Sequence, residues 1–343
     1  MMNGIPQSSM GESIPVPMRA RYLDKLEQTL RAGLQLLPRQ LVQNTVSFTL
    51  GKQCPEGGFP NRAGQPDIYY TAFALRLLSL HADFDGELIR PTLRWLESLD
   101  IAQFSTLANL YSYIQCLVIA ISLGNPALAE KWERTRSELI SALLEHRTEN
   151  GAFAARPGSS SASVYHTFLG LLGCELLELP WESAPNLSRW LQSRQNADGG
   201  YADIETIRTS GTNPTAAAVA IWQITGTAFD IGPARVRNFL RKVYIPHFGF
   251  TAHPRMPVPD LLSTFTALWT LYTLGDTAFI AADSLTAQVS HLQDRYGGFL
   301  AGPAEFLELA PDSQDNDRPG ADVEYTFYGL ASLALLQLIR EAN

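Results

Sequence analysis

The chain has 343 residues, an ordinary apolar fraction of 45% and a formal net charge of −8. An acidic chain without a basic stripe excludes a nucleic-acid backbone as the main partner, because such binding depends on clustered lysine and arginine. No apolar run reaches 18 residues, so no transmembrane segment is expected. The three cysteines lie far apart and indicate neither a disulfide framework nor a cysteine-rich metal site. We therefore expect a globular protein of the reducing cytoplasm.

The N-terminus differs in composition from the remainder of the chain. Residues 1–17, reading MMNGIPQSSMGESIPVP, have neither the basic start nor the apolar core of a signal peptide. We predict a flexible tail over residues 1–17 and one domain over residues 18–343. Residues 18–52 have a helical pattern that is interrupted near Pro38.

A repeated unit follows, made of one helix, a glycine-aromatic turn and a second helix. The turn reads GGF at 57–59, GAF at 151–153, GGY at 199–201, FGF at 248–250 and GGF at 297–299. A hydroxyl residue near the start of each second helix gives the register: Thr71, Ser112, Thr167, Thr215, Thr264 and Thr326. The spacings of 41, 55, 48, 49 and 62 residues between these positions predict six helical hairpins.

The two helices of each unit have different hydrophobic patterns. First helices such as LIRPTLRWLESL are amphipathic, whereas second helices such as TFTALWTLYTLG are apolar on every face. A helix that is apolar all round should be buried all round. We therefore predict an all-α fold in two concentric layers, with the second helices inside.

Three aspartates precede second helices at the same position. Asp67, Asp260 and Asp322 each lie four residues before the registered threonine. A carboxylate there can accept the free N–H groups at the start of a helix, so capping is the leading interpretation. A direct catalytic role is the alternative.

The glycine-aromatic turn followed by Asp-x-x-x-Thr resembles the repeats of protein prenyltransferase β subunits and of squalene-hopene and class II terpene cyclases. The resemblance covers about residues 45–339. It implies an α/α toroid, or α6/α6 barrel, of six hairpins with an aromatic-lined central cavity that accepts an isoprenoid chain.

The zinc ligands that the prenyltransferase resemblance implies are not preserved. Leu262 occupies the cysteine position of the D-x-C-Y-S pattern that begins at Asp260, and Tyr325 occupies the histidine position of a later Tyr-His-Thr. One carboxylate cannot hold Zn²⁺ alone, so zinc is not expected. A Tyr-His-Thr does occur at Tyr165 to Thr167 in another unit, where His166 is either a hydrogen-bonded wall residue or a ligand.

The cyclase resemblance implies a catalytic acid. Class II cyclases carry D-x-D-D-T, and Asp322 to Thr326, reading DVEYT, is similar, with Glu324 at the acid position and Tyr325 replacing the last aspartate. A carboxylic acid kept neutral by apolar surroundings could protonate an alkene, assisted by Asp322 and Tyr325. The alternative is a solvated first-turn glutamate that is favoured by the helix dipole. The related cyclases usually place the cavity between two barrels, and this chain has the length of one.

Further candidates are substrate-binding residues. Aromatic side chains near the starts of second helices could stabilise a carbocation or form ordinary apolar walls: Tyr70, Tyr111, Tyr165, Trp222, Trp269 and Tyr328. His253 and Arg255, close to Asp260, could contact a diphosphate. The loop 311–322 contains four aspartates and is interpreted as a solvated loop or lid, with a Mg²⁺ or Ca²⁺ site as the alternative.

The sequence thus favours an isoprenoid-handling enzyme of terpene cyclase type, in which an acid starts the cyclisation of a polyprenyl substrate. One alternative is prenyl transfer from a prenyl diphosphate without zinc, using His253, Arg255 and His166. The other is a non-catalytic lipid-binding or scaffold protein. No cofactor is firmly predicted, and Mg²⁺ is expected only if the substrate is a diphosphate. The partner expected is an apolar small molecule, and a second subunit that caps the barrel is a further alternative.

Overall fold

The computed structural model describes residues 21–81, 84–179, 185–226, 232–303 and 320–342. Thirteen α-helices lie within them: α1 Tyr22–Leu34, α2 Arg39–Gly51, α3 Ile68–Ser79, α4 Arg90–Ser98, α5 Leu107–Ser122, α6 Pro126–Leu144, α7 Val164–Leu176, α8 Pro185–Ser193, α9 Thr212–Thr225, α10 Pro233–Lys242, α11 Leu261–Thr273, α12 Ala282–His291 and α13 Val323–Ala342. Antiparallel pairs β1–β2 (Phe59–Pro60, Pro66–Asp67) and β3–β4 (Tyr244–Ile245, Gly249–Phe250) flank two of the turns. None of the described helices combines the length and hydrophobicity of a membrane span.

The helices form the two predicted layers. The second helices of the six units, α3, α5, α7, α9, α11 and α13, each contact the next, and α13 contacts α3, which closes the ring. The first helices of the units, α2, α4, α6, α8, α10 and α12, lie outside. Most residues of α13 are buried, whereas α4 buries only Thr92, Leu93 and Leu96. The prediction from the two hydrophobic patterns, an all-α fold in two concentric layers with the second helices inside, is confirmed.

The registered threonine fixes the turn to the inner helix of its own unit. In the first unit, the Phe59 N–H donates to Thr71 Oγ1 at 2.9 Å, and the hydroxyl donates to the Asp67 carbonyl at 2.7 Å. The N–H to hydroxyl bond recurs at 2.9 to 3.1 Å in four other units: Phe153 to Thr167, Tyr201 to Thr215, Phe250 to Thr264 and Phe299 to Thr326. A buried N–H thereby gains the partner that burial would otherwise deny it.

The first glycine of each Gly-Gly turn joins one unit to the next. Its φ lies between +95° and +97° at three equivalent positions, Gly57, Gly199 and Gly297. A Cβ atom there would overlap a backbone carbonyl of the neighbouring unit's outer helix, at Pro91, Arg235 and Asn44 respectively. Only glycine accommodates both the left-handed backbone and this approach. The contact of Gly297 with Asn44 joins the last unit to the first.

The three aspartates cap inner helices, as predicted. The Oδ1 atom of Asp67 accepts from Tyr69 N at 2.8 Å, Asp260 does so from Ser263 N at 2.8 Å, and Asp322 from Tyr325 N at 2.8 Å. Capping therefore accounts for one oxygen of each carboxylate.

Helix α1 lies outside the repeat and crosses the ring near the C-terminal ends of inner helices. Tyr22 N donates to a carboxylate oxygen of Glu175 at 3.1 Å, and the Tyr22 hydroxyl accepts from Trp269 Nε1 at 2.7 Å. A Cβ atom on Gly33 would overlap the backbone of Ala334 in α13. α1 therefore closes one end of the toroid, and the capped ends of the inner helices lie at the other.

Candidate functional site

A cavity of about 500 Å³ lies inside the ring of inner helices. That volume is in the range of sites for small organic ligands. Four of the six predicted aromatic residues line it, namely Tyr111, Tyr165, Trp269 and Tyr328, and Tyr22, Tyr69, Phe73, Phe168 and Phe265 add further rings. The cavity therefore has the aromatic lining that the resemblance implies.

Tyr70 and Trp222, the other two predicted aromatic residues, do not line the cavity. Tyr69 lines it in place of Tyr70, because adjacent residues on a helix point about 100° apart. Trp222 packs against the apolar core from a partly buried position in α9. Both residues are aromatic and belong to inner helices, so the sequence could not distinguish them from the aromatic residues that line the cavity.

Glu324 is buried in the first turn of α13, with 8% of its surface exposed. Its Oε1 accepts from the Tyr69 hydroxyl at 2.8 Å, and its Oε2 lies 3.3 Å from Arg62 Nη2. Burial raises the pKa of the Glu324 carboxyl above its ordinary value, although the hydrogen bond from Tyr69 and the charge of Arg62 act in the opposite direction. The interpretation of Glu324 as a solvated glutamate is therefore wrong.

Tyr69 separates Glu324 from the cavity. Its side chain lines the cavity, whereas Glu324 does not. Burial raises the pKa of the Tyr69 hydroxyl far above its ordinary value, so the phenol keeps its proton. Tyr69 is thus the group through which the carboxyl of Glu324 reaches the cavity.

Arg62 brings the three predicted catalytic residues together. From the loop of the first unit, its Nε donates to Asp322 Oδ2 at 3.1 Å, and its guanidinium lies 5.3 Å from the centre of the Tyr325 ring. Burial raises the pKa of the Tyr325 hydroxyl. The side chain of Arg62 is 56% exposed, while those of Asp322 and Glu324 are 16% and 11% exposed. Sequence analysis missed Arg62, because a loop arginine 260 positions from its partner gives no local signal.

The proposed diphosphate-binding residues are not assembled around the cavity. The Nδ1 atom of His166 lies 2.7 Å from Ser163 Oγ, and burial lowers the pKa of the His166 ring. Arg255 is exposed and donates through Nη2 to Thr209 Oγ1 at 2.6 Å, while its backbone N–H donates to His253 Nδ1 at 3.2 Å. None of these three predicted residues lines the cavity, and the hydrogen bonds of His166 go to other residues than His253 and Arg255.

Asp203 and Asn213 are among the polar residues of the cavity wall that the sequence analysis missed. Asp203 accepts the Tyr165 N–H through Oδ1 at 2.9 Å, and Asn213 accepts the Thr266 hydroxyl at 2.8 Å. Asp203 follows the aromatic residue of its turn by two positions, and its carbonyl accepts from Val164 N of the preceding inner helix at 2.9 Å. The equivalent bonds join Leu107 N to Ala155 O, Thr212 N to Ala252 O and Leu261 N to Ala301 O. The second position after the aromatic residue of a turn therefore lies beside the preceding inner helix, and this position could have identified Asp203 from the sequence.

Two of the sequence-based predictions lie outside the described residues. They are the flexible tail at 1–17 and the acidic loop at 311–322, of which residues 320–322 alone are described.

A family model of the prenyltransferase alpha-alpha toroid domain matches residues 32–97, 98–232 and 228–336. The chain belongs to this family. The family resemblance stated from the turns and threonines is therefore confirmed. No curated protein sequence gives a significant match.

Solved structures share the toroid of this prenyltransferase-family chain. The Candida albicans protein geranylgeranyltransferase-I complexed with GGPP is 15% identical, with a TM-score of 0.57 and 92% of each chain covered. The type II terpene cyclase MstE from Scytonema, in complex with geranylgeranyl dihydroxybenzoate, is 16% identical, with a TM-score of 0.55 over 92% of this chain and 99% of that one. A glycosidase is 13% identical, with a TM-score of 0.58 over 91% and 98%. At such identities the likeness establishes the fold, and the reaction must be argued from the site.

The residues at the family's zinc position do not fit that metal. Asp260 Oδ2 accepts from the Ser263 hydroxyl at 2.7 Å, Leu262 lines the cavity, and Tyr325 lies beside Arg62. Burial raises the pKa of the Asp260 carboxyl, which favours its neutral form. Among the described residues, no three or more His, Cys, Asp or Glu side chains cluster as a metal site would require.

Proposed function

We propose that this member of the prenyltransferase toroid family is an isoprenoid-handling enzyme of class II terpene cyclase type. It starts the cyclisation of a polyprenyl substrate in the central cavity by protonating an alkene. The observation that carries the proposal is the buried carboxyl of Glu324, hydrogen-bonded to the Tyr69 hydroxyl, which faces an aromatic-lined cavity.

The proton comes from Glu324 and passes through Tyr69. With Glu324 protonated, its O–H donates to the Tyr69 oxygen, and the phenol proton is free to point into the cavity. The π electrons of the alkene take the phenol proton and form a C–H bond, while the Glu324 proton moves to the phenol oxygen. The substrate becomes a carbocation and Glu324 becomes a carboxylate, which Arg62 stabilises at 3.3 Å.

Ring closures then consume further alkenes, and the last cation releases one proton to solvent. The final C–H bond supplies the electron pair of a new alkene, so the product has the mass of the substrate. Solvent returns one proton to Glu324. Burial favours this return, because it raises the pKa of the carboxyl.

The cavity wall suits a cationic intermediate. Aromatic faces stabilise a cation by about 0.5 to 2 kcal/mol each, and apolar walls keep out the water that would quench it. Tyr111, Tyr165, Trp269 and Tyr328 are the predicted rings that line the cavity. A cyclase with a geranylgeranyl substrate and a transferase with GGPP on the same fold also support an isoprenoid ligand.

The test compares Glu324→Gln with Glu341→Gln, an exposed glutamate on the same helix. Each protein is incubated with geranyl, farnesyl and geranylgeranyl diphosphates and with squalene, with and without Mg²⁺, and products are identified by mass spectrometry. We expect the wild type and Glu341→Gln to yield a product of unchanged mass and new retention time. Glu324→Gln should lose at least about 100-fold in rate, the usual contribution of a general acid, and bind substrate within about two-fold of the wild type.

Other outcomes would contradict cyclisation in different ways. Unchanged turnover in Glu324→Gln would remove this residue from the mechanism. Release of diphosphate would indicate prenyl transfer, and recovery of every substrate intact, with tight binding, would indicate a lipid-binding protein.

A further inference from the structure

A second cavity, of about 410 Å³, lies beside α1. Residues of α1, α3 and α5 contribute to its wall. Four side chains line both this cavity and the central one, namely Leu23, Leu26, Arg76 and Gln115. Arg76 and Gln115 are the polar members of this set, so they stand where the two cavities meet.

Among the described residues, the charged side chains that line the second cavity are paired, with the exception of Arg76. Arg21 Nε donates to Asp24 Oδ2 at 2.9 Å, and Arg31 Nε donates to Glu27 Oε1 at 3.0 Å. Arg76 makes no hydrogen bond or ion pair through its guanidinium with any described residue. The described part of the wall therefore carries one cation in excess, and that cation faces the central cavity as well.

Aromatic rings hold the guanidinium of Arg76 in place. It lies 4.1 Å from the centre of the Phe327 ring and 5.5 Å from that of Phe73. Stacking of this kind orients an arginine and leaves its N–H groups free at the edge of the plane. A partly buried arginine without a counter-ion is a strong site for an anion, because a carboxylate or phosphate can accept two of those N–H groups at once.

Gln115 is an independent sign of a polar ligand. It is buried to 6% exposure in α5, lines both cavities, and makes no side-chain hydrogen bond to any described residue. A buried amide normally has partners, so the amide of Gln115 on the cavity wall has donors and an acceptor to offer a polar ligand.

We propose that Arg76 and Gln115 form a subsite for the anionic head of an amphipathic ligand whose apolar chain occupies the central cavity. Tyr69 and Arg76 lie seven residues apart on α3, which places them on the same face and about 10 Å apart along the axis. A ligand with its head at Arg76 therefore extends its chain towards Tyr69 and Glu324. The inference rests on the proposed function in naming the ligand an isoprenoid, and it restricts the substrate to those with a carboxylate or phosphate head.

Binding of three farnesyl probes tests this subsite. Farnesyl diphosphate, farnesoic acid and farnesol share a chain and differ in head group, and their binding is followed by tryptophan fluorescence, since Trp269 lines the cavity. The wild type should bind at least one anionic probe at least about tenfold more tightly than farnesol. Arg76→Gln should lose that preference and keep the affinity for farnesol within about two-fold, which also shows that the variant is folded. Arg94→Gln, an exposed arginine of the outer helix α4, should behave as the wild type.

The tighter anionic probe identifies the head group as phosphate or carboxylate. The subsite is rejected if the wild type binds farnesol as tightly as both anions, if no probe binds, or if Arg76→Gln weakens all three probes equally. If binding prefers an anionic probe, this preference depends on Arg76 and no product forms, the subsite is supported and cyclisation is rejected. If the protein cyclises squalene but binds all three farnesyl probes with equal affinity, cyclisation is supported and the subsite is rejected.

Discussion

Glu324 is subject to opposing influences that together set its protonation. Burial favours the neutral carboxyl, and the nearby Asp322 carboxylate acts in the same direction. The hydrogen bond from Tyr69 and the charge of Arg62 favour the carboxylate, but burial is the larger effect. The result suits an acid that must hold a proton before transfer and be stabilised as an anion afterwards.

Removal of Arg62 should move the pH profile of activity. If the reaction requires protonated Glu324, the rate falls as pH rises through the pKa of that carboxyl. Arg62→Gln removes a charge that lowers this pKa, so the alkaline limb should move to higher pH. We expect a shift of less than about one pH unit, because Arg62 is 56% exposed and water screens its charge. The measurement is kcat/KM against pH.

Arg295→Gln is the matched control for the pH profile, since Arg295 is exposed and its guanidinium donates to the Tyr296 hydroxyl at 2.7 Å. Its profile should coincide with that of the wild type. If the alkaline limb of the Arg62→Gln profile stays in place or moves to lower pH, the result contradicts the role given to Glu324.

At the scale of elements, α1 is the helix that gives the toroid a closed end. Tyr22 is anchored to α7 through Glu175 and to α11 through Trp269, and Gly33 lets α1 approach the backbone of α13. Residues of α1 also line both the central cavity and the second one. Its position therefore decides the shape of both.

A methyl group on Gly33 should displace α1. Gly33→Ala puts its Cβ into the backbone of Ala334, and we expect a loss of about 1 to 3 kcal/mol in the free energy of unfolding, as overpacking usually costs. The tryptophan emission should also change, because Trp269 donates to Tyr22. Urea unfolding followed by fluorescence measures both effects.

Gly51→Ala, at the end of α2, is the control because its added Cβ would meet no atom within 4 Å. That change should leave stability unchanged or raise it by up to about 1 kcal/mol, since alanine favours a helix over glycine. Equal stabilities of the two variants would show that α1 does not pack as closely as described.

At the scale of the whole molecule, the six units form a closed ring and not an open array. An open repeat array can unfold from its ends, since each unit contacts only its neighbours. Here α13 contacts α3, Gly297 packs on Asn44, and Glu324 bonds to Tyr69. The ring therefore has no free end at which unfolding could begin.

Loss of a hydroxyl in one unit should consequently destabilise the whole ring. Thr215→Val leaves the buried Tyr201 N–H without its 2.9 Å partner, which should cost about 1 to 3 kcal/mol. We expect one transition with a lower urea midpoint, and circular dichroism and tryptophan fluorescence should coincide. Thr29→Val, whose hydroxyl donates only to a carbonyl of its own helix, should have a much smaller effect. A second transition would indicate that the units unfold separately.

Much of the fold could be predicted from local pattern. The apolar-all-round second helices, the amphipathic first helices and the registered threonines together predicted the two-layer ring, because solvent exposure imposes a period on each helix. The capping of Asp67, Asp260 and Asp322 was predicted because a cap bonds within three residues of itself. Of the six aromatic residues that were predicted to line the cavity, four do so.

The site itself depends on closure of the ring. The amino-acid sequence by itself determined six hairpins and a carboxyl at position 324, since both are local. Only the tertiary structure decided that Glu324 is buried, that Tyr69 lies between it and the cavity, and that Arg62 faces it from 262 positions away. It also decided that α1 closes one end of the toroid and that Arg76 makes no ion pair with any described residue. The contacts of Glu324 with Tyr69 and Arg62 join segments near opposite ends of the chain. Local patterns, which repeat every three or four residues along a helix, cannot predict such long-range contacts.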